Sequence, residues 1–92
     1  MKKLFGTITI NTHILEQTDN AHENINYYKL KNKKYGLSIT RLNGNNKKKN
    51  AINVFNLTDN ESAINYILNM LINKQIRPEQ SDVIDDLVKQ YL

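Results

Sequence analysis

A chain of 92 residues with no cysteine has the length of one domain, residues 1–92, and must hold its fold by burial, because disulfides and thiolate metal sites are excluded. A hydrophobic fraction of 39% against 24% charged residues separates it from disordered chains. No run approaches the roughly 20 apolar residues of a membrane span. The net charge of +4 divides unevenly: residues 1–50 carry ten Lys or Arg against three acids, or +7, and residues 51–92 carry three against six, or −3.

The start, Met1-Lys2-Lys3-Leu4-Phe5, imitates a signal peptide, but Thr7, Thr9, Asn11, Thr12 and His13 break the apolar run and no small-residue cleavage site follows. A cytoplasmic protein is the reading. The first strand is expected over Leu4–Ile14, with Leu4, Ile8, Ile10 and Ile14 on one parity. Gly6 falls on that parity and marks a bulge or the close approach of another side chain. Residues 16–24 read as a polar connection. A second strand over Ile25–Lys31 sets Tyr28 and Leu30 on one face and Ile25, Tyr27 and Lys29 on the other. After the turn Lys31-Asn32-Lys33-Lys34, the third strand alternates Tyr35, Leu37, Ile39 and Arg41 against Gly36, Ser38 and Thr40. Asn43-Gly44 opens a long polar hairpin tip through Asn50, and Ile52–Leu57 makes the fourth strand.

At Leu57 the period of the large residues changes from two to three or four. Thr58-x-x-Glu61 has the spacing of a capping box, opening a helix over 59–74 with Ala63, Ile64, Ile67, Leu68, Leu71 and Ile72 as its apolar stripe. Asn65, Asn69 and Asn73 line the opposite, wet face. Pro78 is expected to end that helix and to suit the first turn of another over 79–92, whose narrower face is Val83, Ile84, Leu87, Val88 and Tyr91. The fold class is therefore α+β: a four-stranded antiparallel meander followed by two C-terminal helices packed on one sheet face.

Chemistry is hard to find in this chain. Asp82, Asp85 and Asp86 share one side of a helix, but no oxygen-rich loop accompanies them, and a solvated helix face explains them better. His13 and His22 are isolated, and His22-Glu23 lacks the second histidine of a zinc-protease helix. Gly6, Gly36 and Gly44 are too scattered for a phosphate loop. No catalytic, cofactor or metal residue is assigned, and the chain reads as a non-enzyme needing no cofactor.

Two binding surfaces remain. Tyr27 and Lys29, placed together on an outer face, with Lys31, Lys33, Lys34, Lys47, Lys48 and Lys49 in the hairpins, are candidate nucleic-acid contacts, since aromatics in a basic sheet stack bases. Abundant Asn and Ile point to an AT-rich genome as a plainer source of the lysines. The apolar arc of helix 59–74 is wider than a sheet face covers, so Tyr66 and Met70 are the candidate protein interface, for a homodimer or a larger partner. The function expected first is a small binding or regulatory module acting through protein contacts; the alternative is a nucleic-acid-binding accessory protein.

Tyr35-Gly36-Leu37-Ser38-Ile39, Val54 to Leu57, Ile76-x-Pro78 and Asp82-Val83-Ile84-Asp85-Asp86 resemble a family of short, uncharacterised clostridial proteins, a domain of unknown function, over about residues 25–92. The resemblance implies two strands with a Tyr-Gly pair and two terminal helices split by a proline, in a bacterial cytoplasm. Arg77 stands where such sequences often place a hydroxyl residue before the proline.

Overall fold

Ile25, Tyr27, Leu37 and Ile39 share one face of two adjacent strands, and their complete burial decides which side of the sheet is inside. The computed structural model describes residues 1–11, 22–43 and 47–92. The elements in order are β1 (Lys2–Asn11), β2 (His22–Lys31), β3 (Tyr35–Leu42), β4 (Lys48–Thr58), α1 (Glu61–Asn73) and α2 (Ser81–Tyr91). The strands form one antiparallel sheet in the order β1-β2-β3-β4, and both helices pack on the same face of it, as the change of period implies. The core joins those four sheet residues to Ile64, Ile67, Leu68 and Leu71 of α1, Ile76 of the connection, and Ile84 and Leu87 of α2. Burying each such side chain stabilises the fold by about 1.5–3 kcal/mol before entropy is counted. Among the described residues no helix is long and apolar enough to cross a membrane.

The strands are longer than alternation of large residues indicates. β2 starts at His22, so His22, Glu23 and Asn24 pair with Asn11, Ile10 and Thr9 instead of forming a connection. Polar side chains hold this end: the Thr9 hydroxyl donates to Asn24 Oδ1 at 2.9 Å, and Thr7 to Asn26 Oδ1 at 2.9 Å. Likewise β4 takes in Lys48 and Lys49, which the sequence places in the hairpin tip. His13, Ile14, the connection over 16–21 and Gly44 lie outside the described residues.

In β1 the register shifts between Leu4 and Gly6, so Leu4 pairs with Tyr28 and Gly6 with Tyr27. The shift turns Leu4 away from the helices and leaves Phe5 packed against the core in its place. Gly6 itself faces α1, and a Cβ there would stand 2.7 Å from Ile72 Cδ1.

Local chemistry at the helix ends also differs from the capping box. Thr58 accepts from the Asn60 amide at 3.1 Å, and Asn60 is the N-cap, its Oδ1 accepting from the Ala63 amide at 3.2 Å. The Glu61 carboxylate turns to the sheet instead. Pro78 does not end α1. The helix closes earlier: the Ile76 amide donates to Leu71 O at 2.9 Å and the Gln75 amide to Ile72 O at 3.0 Å, with Gln75 at φ 54. This is a Schellman closure with a glutamine in the left-handed position usually given to glycine. Pro78 then takes the second position of a turn closed by the Gln80 amide on Arg77 O at 3.0 Å. At the N-cap of α2, Gln80 makes no side-chain cap bond; its Oε1 accepts from the Arg77 amide at 2.9 Å.

Candidate functional site

Tyr27 and Lys29 do share a face, but it is the helix-covered one, which corrects their placement as outward nucleic-acid contacts. Tyr27 is fully buried and donates its phenol proton to Ile76 O at 2.7 Å; burial pushes that phenol up to about 12. Lys29 is 8% exposed, with Nζ donating to Glu61 Oε2 at 2.7 Å and to Asn65 Oδ1 at 3.1 Å. The Lys29 hydrogen bond, with its charge, holds the Glu61 carboxyl below the ordinary value. Asn65 is thus a partner at the sheet, while Asn69 and Asn73 remain exposed. The face is buried because the large residues of β3 share its parity and draw both helices onto it.

The remaining lysines split into two groups. Lys31, Lys33 and Lys34 lie at the β2–β3 turn, where Lys31 Nζ sits 4.2 Å from the Tyr35 ring centroid. Lys47, Lys48 and Lys49 lie at the opposite end of β3, eight residues away, or about 26 Å at strand rise. The sheet does not bring the two groups together. Lys49 also pairs with Glu23 at 3.2 Å.

The helical flank is likewise different from expectation. Met70 is half-buried against the core. Tyr66 is 52% exposed, and its ring meets Tyr91 edge-on, centroids 5.2 Å apart. The second helix takes up part of the wide arc, because Tyr91 reaches Tyr66. Asp82, Asp85 and Asp86 are exposed on α2, and no three His, Cys, Asp or Glu among the described residues stand together as metal ligands.

A polar cluster that sequence reasoning missed lies at the far end of the helix-facing side. Arg41 grips Glu23 with Nη2 on Oε1 at 2.6 Å and Nε on Oε2 at 3.2 Å, and its Nη1 reaches Glu79 Oε1 at 3.0 Å. Asn50 Nδ2 donates to the same Glu79 oxygen at 3.1 Å. The Arg41 hydrogen bond holds the Glu23 carboxyl below its ordinary value, opposed by desolvation. Both Glu23 oxygens and Glu79 Oε1 are occupied by cations or an amide, so the cluster ties three strands to the interhelical connection. Its signal was hidden because Glu23 read as loop.

Among the described residues no helix covers the other face of the sheet. Phe55 is 59% exposed and Leu4 52% exposed there. Beside them opens a cavity of about 410 Å³ lined by Met1, Lys2, Leu30, Lys31, Asn53 and Phe55, among others. Lys2 Nζ stands 4.4 Å over the Tyr28 ring. None of Lys2, Lys31, Lys33 and Lys34 is in an ion pair among the described residues. No described strand residue that points away from the helices is acidic, since Glu23 faces inward and the remaining described acids lie from Asp59 onward. The Lys31 ammonium stands over Tyr35 on the helix-facing side, so the apolar floor has the Lys2 ammonium at its margin and can hold an apolar side chain beside a negative charge. In the sequence, Leu30 and Phe55 were legible as strand residues, but nothing distinguished their parity as the open one until burial assigned the other to the core.

No curated protein and no solved structure matches this chain significantly. The model of a family of unknown function, DUF6514, matches residues 7–90, a longer stretch than the expected 25–92, and the chain belongs to that family.

Proposed function

We propose that the protein is a small non-enzymatic binding or regulatory module that takes an acidic protein segment carrying an apolar anchor. The observation that supports this reading is the cavity on the open sheet face, where exposed Phe55 stands beside Leu30 with Lys2 at the margin. Exposed large apolar groups on a small domain usually mark interaction sites. Lysines without ion-pair partners favour a negative segment and discriminate against a basic one. The same reading takes the protein to be cytoplasmic and of clostridial origin, consistent with its lack of cysteine and its wealth of Lys, Asn and Ile.

The alternative, a nucleic-acid accessory protein, draws on the same face, because Tyr28 and Phe55 are aromatic and the margin is basic. Fluorescence anisotropy with labelled acidic peptides bearing one Leu or Phe, set against a labelled single-stranded oligonucleotide, separates the two. Binding of the peptides that weakens at least tenfold in Phe55→Ala, with fold retained, is the expected result. Peptides that do not bind, or bind equally to Phe55→Ala, overturn the reading. Oligonucleotide binding whose salt slope falls on neutralising Lys31, Lys33 and Lys34 establishes the alternative in its place.

A further inference from the structure

Beside the cavity, β4 departs from the regular alternation of a strand. Ile52 and Val54 pack against the core, and Phe55 between Val54 and Asn56 is 59% exposed on the open face. A regular pleat would next place Asn56 on the helix side and Leu57 on the open side. The opposite is found, with Asn56 exposed and Leu57 packed against the core. The reversal lies where Phe55, Asn56 and Leu57 together span the single residue Gly36 of β3, since Leu37 pairs with Val54 and Tyr35 with Thr58. Asn56 takes up the extra length in a left-handed turn at φ 55, a conformation asparagine adopts more readily than most side chains. Its Oδ1 accepts from the Lys34 amide at 3.3 Å, and the β2–β3 turn that supplies this amide also supplies Asn32 to the cavity lining. Gly36 lets the looped backbone close in, because a Cβ there would stand 3.0 Å from Phe55 Cα.

We infer that Asn56 is a positioning residue of the cavity: its left-handed turn fixes the backbone beneath Phe55 and presents the exposed ring, already ordered, to the apolar anchor of a bound segment. The inference rests on the reading of this cavity as the binding site and adds how that site is prepared. Phe55 lies near the end of a strand at one edge of the sheet, where a large exposed side chain ordinarily stands on a fraying backbone. Here Val54 before it and Leu57 after it are both held by the core, and the Lys34 amide holds Asn56 between Phe55 and Leu57. Bulges serve in this way to re-aim a side chain. A ring whose backbone is fixed before binding loses less freedom on association, so affinity is gained without a further contact. Asn56 acts through Phe55, by conformation.

Fluorine NMR on protein labelled with para-fluorophenylalanine reads the ring directly. Phe5 and Phe55 are the two phenylalanines of the chain, and Phe55→Leu assigns their resonances. Asn56→Gly keeps the left-handed turn accessible, and Asn56→Val removes it, because a β-branched side chain is strongly disfavoured there. Asn56→Gly is expected to keep the wild-type Phe55 resonance. Asn56→Val is expected to shift or broaden it with the Phe5 resonance unmoved, and to weaken binding of the labelled acidic peptides about tenfold. A folded Asn56→Val whose Phe55 resonance or peptide affinity equals that of the wild type overturns the inference. If Asn56→Val does not fold, nitrogen relaxation of the wild type decides. Amide order parameters of about 0.85, those of rigid backbone, are expected for Phe55, Asn56 and Leu57, and values below about 0.6 overturn the inference. The resonance and the order parameters are read without peptide. A wild type that binds no peptide therefore overturns the reading of the cavity, while these two measurements still decide whether Asn56 orders Phe55.

Discussion

The Tyr27 hydroxyl makes its bond to Ile76 O inside an otherwise apolar core, a buried polar tie from the sheet to the connection between the helices beside the exposed bonds of Arg41 and Asn50 to Glu79. In Tyr27→Phe the ring still fills its space, but the buried Ile76 carbonyl loses its donor. The expected cost is about 1–3 kcal/mol, read from urea unfolding at neutral pH. The same residue sets an alkaline limit. Its folded pKa of about 12 lies above the ordinary 10.0, so the phenol's contribution is intact below pH 10 and is lost as pH climbs toward 12. Stability of the wild type should fall through that window, and the decline should be shallower in Tyr27→Phe. Tyr27 was legible as a strand residue of known parity, yet its alternation with Lys29 looked like a wet aromatic-basic face. Lys29 reaches that same buried face because Glu61 and Asn65 supply its partners from the next element.

Elements end in this protein where backbone geometry permits, and two positions make that testable. At the end of α1, Gln75 sits at φ 54, a conformation costing an L side chain about 1 kcal/mol or more that glycine avoids. Gln75→Gly should therefore raise stability by about 0.5–1 kcal/mol, seen as an upward shift in Tm, whereas a Gly in mid-helix would lower it. In β3, Gly36 lies against the irregular part of β4: an added Cβ would meet the Val54 carbonyl oxygen and stand 3.0 Å from Phe55 Cα, both backbone atoms that cannot turn aside. Gly6→Ala would meet only the tip of the half-buried Ile72 side chain. Thermal melts should show Gly36→Ala losing about 2–3 kcal/mol and Gly6→Ala distinctly less. The close approach at Gly6 was readable from its parity. The helix ends were less so, because Thr58 and Asn60 are both competent caps and only the length of β4 assigns the role to Asn60.

At the scale of the whole molecule, folding sorts charge that the chain carries in blocks. The basic first half and acidic second half become a sheet whose open face has no described carboxylate and a helical side that carries the acids, with Glu23 and Lys29 each enclosed by an opposite charge. The sequence by itself determined the α+β order, the four strands, the two helices and the parity of each central strand, because periods of two and 3.6 are local properties of alternating and stacked side chains. Only the tertiary structure decided which parity is inside, because burial belongs to the packed helices and not to any strand alone. It decided likewise that Met70 packs half-buried against the core, that Glu23 closes a cluster with residues distant in sequence, and that Leu4 turns outward at a register shift. Those outcomes depend on contacts between residues far apart along the chain, which no local pattern of side chains records.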